Sequence, residues 1–153
     1  MESLPIFAQP TLEQLLEQTV SHVWFGDYSA LYLELGQLTE RLRKDGTLGN
    51  PEGQFTVYAS FDWRVENARS ILGGSTCSPT QRTSLAQRLL GSTVTSVGLF
   101  GRIPELQLGF GNGIWLTTFD RSKGQPGWCV SFHQRPATHL CVRRGKLAVD
   151  RGD

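Results

Sequence analysis

The stretch from Thr93 to Phe132, TVTSVGLFGRIPELQLGFGNGIWLTTFDRSKGQPGWCVSF, limits what this chain can fold into more than any other. Val94, Leu99, Phe100, Leu106, Leu108, Phe110, Ile114, Leu116 and Phe119 supply its apolar load. Leu106, Leu108 and Phe110 alternate with Gln107 and Gly109, the period of a strand buried on one face. Leu106, Leu108 and Phe110 are therefore expected to face a core and Gln107 to face away from it. Gly111-Asn112-Gly113 supplies residues that tolerate positive φ, as a tight hairpin requires. A strand over Ile114 to Phe119 follows, then a polar break from Asp120 to Gly127, then a strand over Trp128 to Phe132. The pattern predicts an antiparallel meander, and it specifies a fold rather than a chemistry.

Upstream, Thr11 with Gln14 makes a capping box, and Leu12, Leu15, Leu16 and Val20 form a helical stripe. These predict a helix from Leu12 to Ser21. Val23 to Phe25 reads as a strand, Gly26-Asp27 as a turn, and Leu31, Leu33 and Leu35 as a second alternating strand. The composition of Leu38 to Arg43 suits a third strand or a helical turn equally. Asp45 to Gly53 is loop-like, Gln54 to Trp63 is rich in β-formers, and Arg64 to Leu72 continues extended up to Gly73-Gly74. Ser78, Pro79 and Gln81 repeat the helix-start signal, and Leu85, Leu89 and Leu90 continue it to Gly91. This predicts a second helix from Pro79 to Leu90. His139 to Val142 reads as one more strand, and Arg143 to Asp153 as a polar tail that frays.

With an offset of 75, Phe25-Gly26 falls on Phe100-Gly101, Leu31 on Leu106, Leu33 on Leu108 and Gly36 on Gly111. The expected fold class is accordingly α+β. It consists of two helix-plus-antiparallel-meander units, a degenerate duplication with halves 11–74 and 78–142. The units join as one domain over 1–153, with the helices packed on a mainly antiparallel sheet.

The chain's 153 residues suit one domain with a real core, and a net charge of +1 gives no reason to expect a nucleic acid or a membrane surface. The charge is uneven along the chain. Residues 1–66 hold ten acidic and four basic side chains, a net of −6, and residues 67–153 hold four acidic and eleven basic, a net of +7. The start MESLPIF lacks a basic region followed by an apolar run, so no secretory signal is expected, and no apolar run reaches the length of a membrane span. Cys77, Cys129 and Cys141 form no even framework, so reduced, buried thiols in a cytoplasmic protein are expected.

Candidate chemistry is sparse. Cys129, His133, His139 and Cys141 are zinc-ligand types. Four residues of strand nevertheless separate Cys129 from His133 by about 13 Å, too far to share one ion, so no metal and no cofactor are expected. Asp62 and Glu66 resemble a carboxylate pair, but Arg64 and Arg69 lie beside them, which favours surface ion pairs. No GxSxG elbow or protease-type cysteine signature is present, so no catalytic residue is assigned. Gly109-x-Gly111-x-Gly113 falls in a hairpin rather than before a helix, so it reads as a turn. The terminal Arg151-Gly152-Asp153 reads as a chance match to an adhesion tripeptide. Of Trp24, Trp63, Trp115 and Trp128, most are expected in the core, and any that face out would anchor a partner. Trp24, Asp27, Tyr28, Tyr32, Glu34, Asp62 and Glu66 together make a candidate docking surface, aromatic and acidic, for a basic protein partner.

The segment Phe100-Gly101-Arg102-Ile103-Pro104-Glu105-Leu106, with Thr117-Thr118-Phe119 and Gly124-Gln125-Pro126-Gly127-Trp128, resembles small bacterial domains found beside polymorphic toxins, many of them immunity proteins. The resemblance covers the last third of the chain. It implies a cytoplasmic, non-enzymatic binding protein that neutralises a toxin, and it carries no functional residues with it. Two other classes stand beside it. One is a small enzyme or ligand-binding module, which a pocket holding His133, His139 and a carboxylate would favour. The other, ranked last, is a nucleic-acid binder using Arg102, Arg121, Lys123, Arg135, Arg143 and Arg144, whose basic residues are not interleaved with aromatics.

Overall fold

The computed structural model describes residues 10–60, 62–120, 127–134 and 137–151. The lead-in before Pro10, Arg121, Lys123, Arg135, Pro136 and Gly152-Asp153 lie outside the described residues.

In chain order the strands are β1 (Val20–Phe25), β2 (Leu31–Leu35), β3 (Phe55–Ala59), β4 (Trp63–Glu66) and β5 (Ile71–Gly74). The helix α1 (Pro79–Leu89) follows, then β6 (Val94–Phe100), β7 (Glu105–Phe110), β8 (Trp115–Thr118), β9 (Trp128–Phe132), β10 (Thr138–Arg143) and β11 (Lys146–Arg151). They form two antiparallel sheets, a six-stranded one ordered β1-β2-β3-β9-β10-β11 and a five-stranded one ordered β5-β4-β8-β7-β6. One apolar core joins them. It takes Leu31, Leu33, Leu35, Val57, Trp128, Val130 and Phe132 from the first sheet and Trp63, Val65, Leu106, Leu108, Phe110 and Leu116 from the second. In each strand these alternate with residues facing the other way, as two sheets sharing one core require.

On β7, Leu106 and Leu108 are fully buried and Phe110 is 3% exposed, while Gln107 faces out, as the alternation predicts. Leu108→Ala should accordingly cost ~2–5 kcal/mol in a urea titration. Gln107→Ala should stay within about 0.5 kcal/mol, and equal losses at both positions would contradict this register.

The expected α+β class is overturned. Among the described residues the protein is an antiparallel β fold with one α-helix, not helices packed on a sheet in two units. The helix expected over Leu12 to Ser21 is a single 3-10 turn, Leu12–Leu15. Its capping box forms and Leu12 and Leu15 are buried, so the local signal was genuine. What ends the turn is strand pairing. Glu17 takes φ +71°, Glu17 N–H donates to Val94 O, Val94 N–H to Gln18 O, and Val20 N–H to Ser92 O. A short amphipathic segment gave way to tertiary hydrogen bonds, as weak helix propensity commonly does. The second helix forms over Pro79–Leu89 with its Ser78–Gln81 box, and it buries Leu85 and Leu89 against β1 and β5. The tail expected to fray instead pairs along β10 as β11.

The expected meander is also corrected. Of the strands expected in it, β6, β7 and β8 pair in sequence, but β9 crosses to pair with β3 while β4 pairs with β8. Neither half of the chain forms a unit alone. The two sheets nonetheless share a hydrogen-bonding plan. Trp63 Nε1 donates to Ser29 O at 2.8 Å, and Trp128 Nε1 donates to Pro104 O at 3.0 Å. Gly36 N–H donates to Thr19 O and Gly111 N–H to Thr93 O, while Ser60 N–H donates to Gly127 O and Phe119 N–H to Asp62 O. Register shifts fall at Val20/His22 and at Val94/Ser96.

Candidate functional site

The side of the six-stranded sheet away from the core carries two lateral rows. Trp24, Tyr32, Tyr58, Cys129 and Cys141 are successive register partners. The Trp24 and Tyr32 rings stack at 3.8 Å with 4° between planes, and Tyr32 and Tyr58 follow at 5.0 Å and 47°. Tyr32 lies against Gly26, where an added Cβ would be 2.9 Å from its ring, so the glycine makes room for the stack.

Cys129 and Cys141 face each other directly across β9 and β10, with Cα atoms 4.5 Å apart, and form a disulfide. This corrects the expectation of reduced, buried thiols: Cys77 is free but only partly buried. The strand register brings the two sulfurs together, and sequence spacing alone does not reveal a register. Among the described residues no three His, Cys, Asp or Glu side chains are arranged to hold a metal ion.

The second row runs His22, Glu34, Thr56, Ser131, His139, Asp150. Glu34 is only 3% exposed. Its Oε2 accepts from Trp24 Nε1 at 2.8 Å, and its Oε1 accepts from Gly53 N–H at 3.0 Å and from the Thr56 hydroxyl. It is buried because the arm between β2 and β3 folds back on it. That arm is a ribbon bridged at Thr39–Glu52 and Leu42–Leu48, with Arg41 2.8 Å from Glu52 and His22 Nε2 2.9 Å from Asn50 Oδ1. Gly53 sits so close to β2 that a Cβ there would be 2.5 Å from Leu35 O.

His133 closes this network. Its Nε2 is 2.8 Å from Thr56 Oγ1 and 3.4 Å from Glu52 Oε2. The Thr56 hydroxyl donates to Glu34, so His133 must donate from Nε2–H. Burial holds the His133 pKa below its ordinary value, outweighing the pull of Glu52 and Glu34 in the other direction, with His139 and Arg41 adding to the decrease. The unfolded chain therefore takes up this proton first as pH falls. The stabilisation from the neutral ring is complete above the ordinary histidine value and is lost as pH drops below it. Thermal melts between about pH 7 and 5 should show stability falling in the wild type, with His133→Gln removing part of that slope. A variant with an unchanged slope would contradict this reading.

Ser131 Oγ lies 2.7 Å from His139 Nδ1, the contact of a nucleophile with a base. Ser131 sits on β9, however, with β3 on one side and β10 on the other. Its neighbours' N–H groups are used in the two ladders, so none is left to hold an oxyanion there.

The candidate docking residues divide. Trp24, Tyr32 and Glu34 lie on this face, with Asp27 and Tyr28 in the turn beside it. Tyr28 is 82% exposed, and it and Ser29 take φ of 57° and 65°. Left-handed backbone at two successive non-glycine residues is a strain of the kind found at functional sites. Burial, then Tyr58, Asp27 and Glu34, raise the Tyr32 pKa, and Arg82 reaches the same turn, donating to Ser29 Oγ at 2.9 Å. Asp62 and Glu66 belong to the other sheet, where Glu66 pairs with Arg64 at 2.6 Å. Trp63 and Trp128 are core residues, and Trp115 is 36% exposed over Gly109. Sequence reasoning missed Tyr58, Thr56 and Ser131, whose place on this face depends on the register of β3 and β9.

Of the basic residues, Arg102 and Arg144 lie in separate turns, and Arg143 pairs with Asp150. No helix among the described residues is long and apolar enough to cross a membrane. No protein-family model, curated protein or solved structure matches this chain.

Proposed function

We propose that this chain is a binding protein that docks a basic protein partner on the corner formed by Trp24, Asp27, Tyr28, Tyr32 and Tyr58. The partner class, following the resemblance of the last third of the chain, is a bacterial toxin that docking blocks. The observation that carries the reading is the aromatic ladder Trp24–Tyr32–Tyr58, with the exposed Tyr28 on strained backbone in the turn that joins β1 to β2. Rigid aromatic side chains lose little entropy on binding and dominate interface energetics. The Asp27 and Glu34 charges steer a positively charged rim toward them. Glu34 contributes only through its field, because its carboxylate is engaged inside the fold.

The cytoplasmic setting of an immunity protein belongs to the same proposal. The Cys129–Cys141 bond pulls against it, because disulfides persist mainly in oxidising compartments. Mass measurement of natively purified, alkylated protein distinguishes the two.

To test the function, a macromolecule is recovered from the native host on the immobilised chain, and its own activity is assayed with and without the chain. The proposal expects an enzyme inhibited at one equivalent, with Asp27→Lys slowing association and added salt doing the same. Recovery of no macromolecule, together with turnover of a small substrate by the chain, would sink it.

A further inference from the structure

The five-stranded sheet turns a different surface outward. On the shared hydrogen-bonding plan, the row matching Trp24, Tyr32, Tyr58, Cys129 and Cys141 is Gly98, Gln107, Thr117, Arg64 and Gly74. Stacked rings fill the row on one sheet, and smaller or flexible side chains replace them on the other. The result is a cleft of about 410 Å³ whose walls include Arg64, Phe100, Thr117 and Phe119, with Asp62 the one carboxylate among its described lining residues.

Two further clefts, of about 380 and 370 Å³, are close to it in size, so volume does not single it out. Its chemistry does. Phe100 and Phe119 are 43% and 59% exposed, although both border a recess. Arg64 gives its Nε to Glu66, and its terminal nitrogens make no hydrogen bond among the described residues. The volume lies in the range of small-molecule sites. Two phenyl rings suit a flat apolar ligand, and the two ends of a guanidinium fork suit paired anionic oxygens.

We infer that this cleft binds a small planar aromatic acid. Its ring lies against Phe100 and Phe119 above Thr117, and its carboxylate meets the terminal nitrogens of Arg64. The cleft is on the other sheet from the protein-docking corner, and the inference does not rest on that reading.

The test is an NMR titration of the full chain with indole-3-carboxylate, with indole as the ring without the charge and cyclohexanecarboxylate as the charge without the ring. Indole-3-carboxylate should shift the amides of Thr117, Thr118 and Phe119 and the Arg64 Nε signal saturably, and more tightly than either control. Arg64→Gln should weaken the acid roughly tenfold or more while leaving indole nearly unchanged. Phe119→Ala should weaken both, and Thr117→Trp, which fills the hollow, should abolish binding. Shifts that do not saturate, that scatter over the surface, or that persist in a folded Thr117→Trp variant would overturn the inference.

Discussion

Trp128→Ala is expected to lower the stability of this protein by roughly 3–5 kcal/mol, the range for truncating a buried tryptophan. Trp128 is 1% exposed on β9 and belongs to the six-stranded sheet, yet its Nε1 donates to Pro104 O in the turn that joins β6 to β7 of the other sheet. The substitution leaves a cavity between the sheets and an unmet carbonyl at the same time. Trp63 makes the reciprocal bond to Ser29 O from the five-stranded sheet. Trp128→Phe should cost much less, because it fills most of the cavity and loses mainly the hydrogen bond, about 1 kcal/mol. Urea denaturation with a constant slope measures both. Equal losses for the Phe and Ala variants would mean that the hydrogen bond, not the packing, carries the effect.

Glu34→Ala should be comparably severe, at roughly 3–5 kcal/mol, because it takes the shared acceptor from three donors, each costing about 1–3 kcal/mol when left unmet inside the fold. The Trp24 indole N–H, the Gly53 N–H and the Thr56 hydroxyl would all lose their acceptor. Buried donors left without partners are costly, more so than the bonds are favourable. The arm over β2 should loosen as well, seen as faster hydrogen exchange at Gly53. Glu34→Gln keeps one acceptor oxygen and should fall between the wild type and Glu34→Ala. A Glu34→Ala protein of unchanged stability and unchanged exchange at Gly53 would show that the carboxylate does not anchor the arm. The same burial makes Glu34→Lys unsuitable as a probe of docking, since its effect on the fold would mask any effect on association. Asp27, exposed in the turn, is the clean position for charge reversal.

Much of the fold could be read locally. The alternation at Leu31–Leu35 and Leu106–Phe110 marks strands because the large apolar side chains of each share one face, and Ser78 with Gln81 marks the start of α1 because the cap is self-contained. What could not be read was set by partners distant in the chain. Gln14 accepts from Thr11 N–H as Gln81 does from Ser78 N–H, but Ser92 and Val94 draw the following residues into strand pairing. The crossing of β9 to β3 depends on the shared core and leaves no local mark on Trp128 to Phe132. The polar run after Arg143 pairs because β10 offers an open edge.

The candidate site divided in the same way. Trp24, Asp27, Tyr28 and Tyr32 are close in sequence and stay close in space. Asp62 and Glu66 were grouped with them by charge alone and lie on the other sheet. Tyr58 joins the ladder through the β2–β3 register, and the Cys129–Cys141 bond forms through the β9–β10 register. Neither pairing can be inferred from spacing.

The most direct test of the docking corner is the affinity of the recovered protein partner for three forms of the chain: wild type, Tyr28→Ala and Phe119→Ala. Both substitutions fall on exposed side chains of comparable size, one in the corner and one on the opposite sheet. The account predicts that Tyr28→Ala weakens binding roughly tenfold or more, the loss typical of an interface anchor, and that Phe119→Ala leaves it unchanged. Undiminished affinity in Tyr28→Ala, or a loss confined to Phe119→Ala, would contradict it.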